Sequence, residues 1–400
     1  MKYSDILIIG GGASGIMCAI RAKEKNPKLS VTLLEKQNRI GRKLLSTGNG
    51  RCNLLNAYAD KTAFQGSFVS EMDCLLSKNS PDRMAEYFKK IGLLIKQEGD
   101  GRLYPVSNHA SSVLDVLRFR LDSLGVEVVT EEAVKSINKN GKAFQVNTEN
   151  NSFNAKKLVV ATGSLASPKL GGDNSGINAL KNLGLKVVPS YPALCPVNVK
   201  SNILKSLKGL RVQGEASLFD GNKLIDTEKG EIQFTENALS GICVFNLSNS
   251  LNNVKNPIIR LNLLPNDNPY KLIEKNVRLF SNREAEDLFT GIFQKKLALA
   301  LLKEAELSPS KHIGKLSRDE TKRLSALIGN WAFKLIGAEG YNKAQVAGGG
   351  VHANEINPET LETRIKNLYV CGEAIDIIGK CGGYNLYFAF ASGKTVGESI

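Results

Sequence analysis

Short apolar runs and helical spacings alternate along the first part of the chain. Residues 6–9 form an unbroken apolar run, residues 14–25 carry apolar positions at helical spacing until Pro27, and residues 31–34 are apolar again. Runs without polar interruption suit strands buried on both faces, so this order predicts a βαβ unit and the start of a parallel sheet. A second sheet-like stretch covers residues 126–160, where Asn140-Gly141 marks a hairpin between runs at 133–137 and 143–146. From about residue 191 to 263 the pattern becomes short alternating segments with Gly and Asn turns, which predicts a small β domain. Beyond Pro265 it turns helical. Leu288, Ile292, Leu299 and Leu302 recur at helical spacing, and Ser317 with Glu320 forms a capping box for a helix running to about Gly329. Near Gln345 the chain returns to strand, and residues 368–371 form a last apolar run.

The first turn carries chemistry. Gly10, Gly12 and Gly15 form GxGxxG directly after the first strand and at the mouth of the first helix. In that setting the first glycine permits the tight turn, the second admits a pyrophosphate to the backbone, and the third lets helix and strand pack closely. The open N–H groups and positive dipole end of the helix then face the phosphates. Glu35, at the end of the second strand, can accept hydrogen bonds from both ribose hydroxyls. These features predict a dinucleotide and leave NAD and FAD equally open.

Later segments separate the two. Gly41-Arg42-Lys43 and then Thr47-Gly48-Asn49-Gly50-Arg51-Cys52-Asn53 put a polar, glycine-rich loop where a longer cofactor would continue. The buried run 158–160 ends in the small residues Ala161-Thr162-Gly163. Near the C-terminus, Gly372-Glu373-Ala374-Ile375-Asp376 and Gly382-Gly383-Tyr384-Asn385-Leu386 precede a helix-like stretch. Glycines there again leave backbone N–H groups open to a ligand, and a helix dipole would favour negative charge on a reduced flavin. The expected cofactor is FAD.

Composition narrows the classes. No apolar run approaches the roughly 20 residues needed to cross a bilayer. No apolar leader follows the N-terminus either, so the expected location is the cytoplasm. The seven cysteines are odd in number and show no CxxC spacing, which argues against a disulfide reductase and for reduced thiols. Cys371 and Cys381 are read as small packing residues. The net charge of +14 creates a positive field able to steer acidic ligands or nucleic acid, but no block of basic residues stands out. Three scattered histidines, His109, His312 and His352, make no metal site.

With these motifs in place, the sequence resembles the HI0933-like family of bacterial flavoproteins, a branch of the two-dinucleotide-binding-domain superfamily. The likeness spans the chain and rests on GGGASG at 10–15, GRKLLSTGNGRCN at 41–53, GRLYPVS at 101–107, ATG at 161–163, GGGVHANEI at 348–356 and CGGYN at 381–385. Members are labelled NAD(P)/FAD-dependent oxidoreductases, some of them aminoacetone oxidase-like or bile-acid reductase-like. The resemblance implies FAD contacts at Gly10, Gly12, Ala13, Ser14, Gly15, Glu35, Lys36, Arg42 and Lys43, along the loop from Thr47 to Asn53, and at the Val134 backbone. It adds Ala161, Thr162, Gly163, Gly372, Glu373, Asp376, Gly383, Tyr384, Asn385 and Leu386. It also implies an α/β fold with a discontinuous Rossmann-like FAD-binding domain at 1–190 and 346–400. A β-barrel-like domain is expected at 191–265, with a return strand near 335–345, and a helical domain at 266–334. The chain departs from the family pattern at Gly171-Gly172-Asp173-Asn174-Ser175-Gly176-Ile177, at Ser240-Gly241-Ile242 and at Ala347, and these departures bear on substrate choice rather than on FAD.

The expected activity is hydride transfer between flavin and a small organic substrate, with NADH or NADPH as a transient donor and an activated alkene as acceptor. The rivals are an amine oxidase using oxygen, an RNA-modifying flavoprotein and a flavin sensor without turnover. Arg51, Tyr104, His109 and Tyr384 lie in motifs near the expected flavin. Each also reads as structural: a loop anchor, packing ahead of Pro105, a helix start and a pocket wall. No acid or base is assigned.

Overall fold

Apolar strands stack first around the run at 6–9. In the computed structural model, which describes residues 2–400, that run lies within the strand Lys2–Ile9, and Ile6, Leu7 and Ile8 are fully buried. It pairs in parallel with Val31–Leu34 on one side and Ser152–Val160 on the other. Glu127–Val129 and Leu368–Val370 extend the parallel set, and the hairpin Val134–Asn140 with Ala143–Thr148 adds antiparallel strands to complete a seven-stranded sheet. The hairpin turn falls one residue later than its dipeptide signal. Asn140 pairs with Ala143, so Gly141, at φ +60°, is the first of the two turn residues.

Two helices lie close together against this sheet's core. They are Ala13–Lys25 and the terminal Tyr384–Ser399. Small residues set their separation: a Cβ on Gly393 would stand 2.2 Å from the Ser14 carbonyl oxygen, and one on Gly397 would stand 2.5 Å from that of Cys18. Val187–Ala193 pairs antiparallel with Val346–Val351. These elements belong to one unit, made of residues up to Ala193 together with Ala344–Ile400.

The second unit is Leu194–Lys343. It contains a closed six-stranded barrel in the order Val197–Val199, Ala238–Ser240, Lys223–Phe234, Arg211–Asp220, Pro257–Asn262 and Trp331–Ala338. The strand that returns to close it begins earlier than the stretch expected near 335–345, because the alternation of buried Trp331, Phe333 and Leu335 starts there. The capping box forms as read. Ser317 accepts the Glu320 N–H, Glu320 accepts the Ser317 N–H, and the helix Arg318–Gly329 follows. The helical spacing from Leu288 does not hold throughout. Gly291 takes φ +82° and breaks it, so the helix is Lys295–Glu304. Barrel residues Phe234, Leu261 and Trp331 share one apolar cluster with Leu297, Leu301 and Leu324 of the helices. Burial of each such side chain stabilises by roughly 1.5–3 kcal/mol. Among the described residues no helix is long and apolar enough to cross a membrane.

Candidate cofactor site

The glycine turn separates cleanly into packing positions and an open one. A Cβ on Gly10 would lie 2.4 Å from the Ala161 carbonyl oxygen, and one on Gly15 would lie 1.9 Å from that of Gly10. Gly12 meets nothing within 4 Å. The first and third glycines therefore close strand against helix, and the second borders free space, as a pyrophosphate requires. Helix Ala13–Lys25 starts with no side-chain cap, so ligand groups can take its first N–H donors. Ala13 packs at the edge of the core, and Ser14 is buried. A Cβ on Gly372 would touch Ser14 Oγ at 2.5 Å, which puts the C-terminal glycine turn on the first helix.

Glu35 organises this turn from within. Its Oε2 accepts the Gly11 N–H at 2.9 Å and its Oε1 accepts the Gln37 N–H at 2.8 Å. The neighbouring cations are also engaged. Lys36 pairs with Asp173, Arg42 donates to Gln37, and Lys43 Nζ stands 2.8 Å from Glu373 Oε2, which also accepts the Ser164 hydroxyl at 3.0 Å. The Asp173 carboxyl is desolvated, but Lys36 and Ser175 hold it below its usual range. Val134 lies at the start of its strand, half-buried and paired with Thr148.

The loop at 47–53 is tightly wound. Gly48, Asn49, Gly50 and Cys52 all have positive φ, from +55° to +81°. Non-glycine residues held there are strained, and such strain persists only where surroundings fix it. Thr47 donates its hydroxyl to the Leu44 carbonyl at 2.7 Å, and Arg51 is held by Glu98 and Asn108, each at 2.7 Å, with its guanidinium 4.2 Å from the centre of the Tyr104 ring. The Arg51 guanidinium, then Lys96, holds the Glu98 carboxyl down at about 2. Burial pushes the Cys52 thiol up to about 12, so it is no thiolate nucleophile.

Two buried oxygens lack any protein partner: Thr162 Oγ1, after the central strand Ser152–Val160, and Asn53 Oδ1, beside Gly383. Thr162 Oγ1 packs against Gly176, 2.1 Å from where a Cβ there would stand, whereas Asn53 Oδ1 lies on the glycine-lined cradle. Buried polar atoms are nearly always paired, so that second orphan fits a ligand with its own polar groups. Ala161 is buried, and a Cβ on Gly163 would meet only Glu373 Oε2, at 3.7 Å. The cradle thus fits FAD by its open glycines and by the unpaired Asn53 Oδ1.

Other implied contacts face inward. The Asp376 carboxylate is buried and accepts the Ser67 N–H at 2.9 Å. Asn385 clips the Gly379 backbone from both sides, accepting its N–H at 2.8 Å and donating to its carbonyl at 2.9 Å. Tyr384 meets Phe64 edge-on at 6.0 Å, and Leu386 packs at the edge of the core. Gly383, at φ +99°, has no room for a Cβ beside the Leu55 carbonyl. His109 is an exposed residue ahead of the helix Ala110–Ser123, and His352 accepts the Asn354 N–H. Sequence reasoning missed Asn56, which is buried and donates to the Gly382 carbonyl at 2.9 Å, fixing the C-terminal glycine pair. A polar residue inside the apolar run 54–57 was its only signal. All seven cysteines are free thiols, and no metal-binding cluster exists among the described residues.

Sheet and cradle define the class: a Rossmann-type, FAD-dependent oxidoreductase. The chain belongs to the family described as HI0933-like protein Rossmann domain, matched over residues 4–399. It is 32% identical over 400 residues to the 3-dehydro-bile acid delta(4,6)-reductase of Clostridium scindens, with 98% of each chain covered. It is 26% identical over 404 residues to the ribosomal RNA dihydrouridine synthase of Escherichia coli, covering 100% of this chain and 98% of that one. Its fold is similar to the FrdA chain of E. coli quinol fumarate reductase, with a TM-score of 0.52 and 14% identity over 100% of this chain and 70% of that one.

Proposed function

We propose that this chain takes electrons from NADH or NADPH through bound FAD and reduces a carbon–carbon double bond conjugated to a carbonyl in a small organic molecule. The observation that carries the cofactor half is the cradle, with Gly12 open and Asn53 unpaired. The full-length likeness to a delta(4,6)-reductase supports the alkene half. FAD, when bound, supplies hydride chemistry at its ring system, and the protein supplies binding, orientation and electrostatics.

The roles of the residues follow from their placement. Gly10 and Gly15 would hold the helix start at the pyrophosphate, and Glu35 would receive the ribose hydroxyls. Arg42, whose partner Gln37 is neutral, would offset phosphate charge, and Lys36 and Lys43, paired with Asp173 and Glu373, would border the cofactor. Asn53 Oδ1 would meet a polar group further along the cofactor, and the strained loop at 47–53 would help to hold it. In this reading residues 1–190 and 346–400 hold the cofactor.

A second reading has its own observation. The net charge of +14 suits a polyanionic substrate, and two relatives carry the name ribosomal RNA dihydrouridine synthase. Both names describe saturation of a carbon–carbon double bond, so the flavin chemistry is shared and only the carrier of the alkene differs.

Anaerobic mixing tests the main reading. NADH or NADPH should bleach the visible flavin band at a rate on the order of 10 per second, and an enone should restore it. Failure of both nucleotides overturns the proposed donor. RNA binding that falls steeply with salt, together with reoxidation by uridine-containing RNA alone, would move the substrate to the second reading.

A further inference from the structure

The strand Val187–Ala193 is built to place one side chain. Its register against Val346–Val351 shifts between Val188 and Tyr191, and such bulges re-aim the residue that follows. Pro192 comes next and restricts Tyr191 to extended backbone. Opposite stand Gly348, Gly349 and Gly350. Gly349 and Gly350 take φ of +86° and +128°, but Gly348 serves differently. A Cβ there would lie 2.1 Å from Tyr191 Cζ and 2.5 Å from its hydroxyl oxygen. The phenol therefore crosses the neighbouring strand in the space a side chain at 348 would fill.

Next to that strand runs the C-terminal turn of the cradle. Val351 bridges Ile375, and a Cβ on Gly350 would meet the Ala374 carbonyl oxygen at 2.6 Å. Tyr191 is half-buried, and none of the described residues hydrogen-bonds its hydroxyl. Burial, then the negative charge of Asp376, raises the phenol above its usual range. The Asp376 carboxylate is itself occupied by the Ser67 N–H. A pre-aimed, unpaired hydroxyl beside the cradle, protonated at neutral pH, is a donor waiting for an acceptor from outside the chain.

We propose that Tyr191 is the substrate-facing hydrogen-bond donor of this reductase, its hydroxyl donating to the carbonyl oxygen of a carbonyl-conjugated alkene. The inference rests on the reading of the chain as an FAD-dependent alkene reductase. With reduced FAD bound, hydride addition at the carbon far from the carbonyl would move the π electrons toward the carbonyl oxygen. A donor already aimed at that oxygen strengthens as the charge develops. The phenol keeps its proton, and water supplies the proton that completes the carbon next to the carbonyl.

The test uses the FAD-bound protein and 2-cyclohexen-1-one as probe, with affinity read from perturbation of the flavin absorption band. Tyr191→Phe keeps the ring over Gly348 and removes only the hydroxyl. The dissociation constant for the enone should rise about tenfold, in line with one lost hydrogen bond, while FAD content, thermal midpoint and affinity for cyclohexene stay unchanged. Gly348→Ala should reproduce the loss with the hydroxyl still present, and if that variant fails to fold the Phe variant decides alone. Equal enone affinity in wild type and Tyr191→Phe overturns the proposal. So does a Phe variant that loses FAD or thermal stability along with affinity, because the role is then structural, and so does a wild type that does not respond to the enone. Protein purified without FAD overturns the underlying reading, a failure distinct from these.

Discussion

The two units differ in where close-packed glycine matters most. In the first, a Cβ at Gly10, Gly15 or Gly383 would stand within 2.4 Å of a backbone carbonyl oxygen, so the chain closes upon itself around the cradle. In the second, Gly209, Gly221 and Gly291 meet nothing within 4 Å and serve turns at φ of +84°, +59° and +82°. Gly241 and Gly214 are exceptions, where a Cβ would stand 2.2 Å from the Glu231 and 2.8 Å from the Asn262 carbonyl oxygen, and in the first unit Gly92, Gly125 and Gly141 serve open turns as well. Shape in the second unit comes instead from large side chains: Trp331 packs 6.0 Å from Phe234 and 4.9 Å from Phe333, centre to centre. The site-bearing unit is specified by what its residues leave out, and the barrel unit by what its residues fill.

Gly15→Ala should break the first unit most severely. The clash at 1.9 Å is with backbone, which no rotamer can relieve, and the expected loss is about 5 kcal/mol, beyond the ordinary range for a point change. Gly12→Ala has no such clash and should cost less than about 1 kcal/mol of stability while abolishing FAD retention. Urea denaturation beside flavin content measures both, and matching behaviour of the two variants would dissolve the distinction between packing and open glycines. The second unit should answer to volume. Phe234→Ala, at a fully buried position, should cost about 3–4 kcal/mol, seen as a lower denaturation midpoint. A loss under about 1 kcal/mol would show that packing does not set the barrel.

The same contrast explains what could be read from the sequence. Gly10, Gly12 and Gly15 were legible because a turn, an open approach and a close packing each exclude other residues, leaving a spaced pattern. The capping box at Ser317 and Glu320 was legible because both hydrogen bonds span three residues. Long-range contacts were not. Nothing local signals that Glu98 holds Arg51, that Asp376 turns inward to Ser67, or that Asn56 fixes Gly382. The break at Gly291 was hidden because helical spacing of Leu288 and Ile292 says nothing about φ. Tyr191 escaped notice because its placement depends on a bulge and on glycines far along the chain.

Glu35 sharpens the comparison at intermediate strength. It is both a turn residue, through Gly11 and Gln37, and the expected ribose acceptor. Glu35→Ala should weaken FAD retention by about 1.5–3 kcal/mol, measured by equilibrium dialysis. Glu35→Gln, which keeps one acceptor oxygen for the Gly11 N–H, should retain more FAD than Ala. Equal retention in all three proteins would remove Glu35 from the cofactor site.

The smallest expected effect belongs to Asp5, in the strand Lys2–Ile9 of the first unit. Its Oδ2 accepts the Ser30 N–H at 3.0 Å and hydroxyl at 2.8 Å, and its Oδ1 stands 3.0 Å from Lys156 Nζ. The Ser30 bonds, then Lys156, bring its carboxyl down from 3.8 to about 2. A pKa lower in the folded than in the unfolded chain means that the stabilisation is complete above the unfolded value and is lost as pH falls through the folded one. Because Lys156 is largely exposed and its charge screened, the contribution at neutral pH is discounted to about 1–2 kcal/mol. Asp5→Asn should show that deficit at pH 7, with the gap to wild type closing between about pH 4 and about pH 2. Added salt should narrow the gap only in part, since the Ser30 hydrogen bonds are local and the Lys156 attraction is not. A gap that vanished entirely in salt would mean that long-range charge, rather than the fitted hydrogen bonds to Ser30, ties these two strands together.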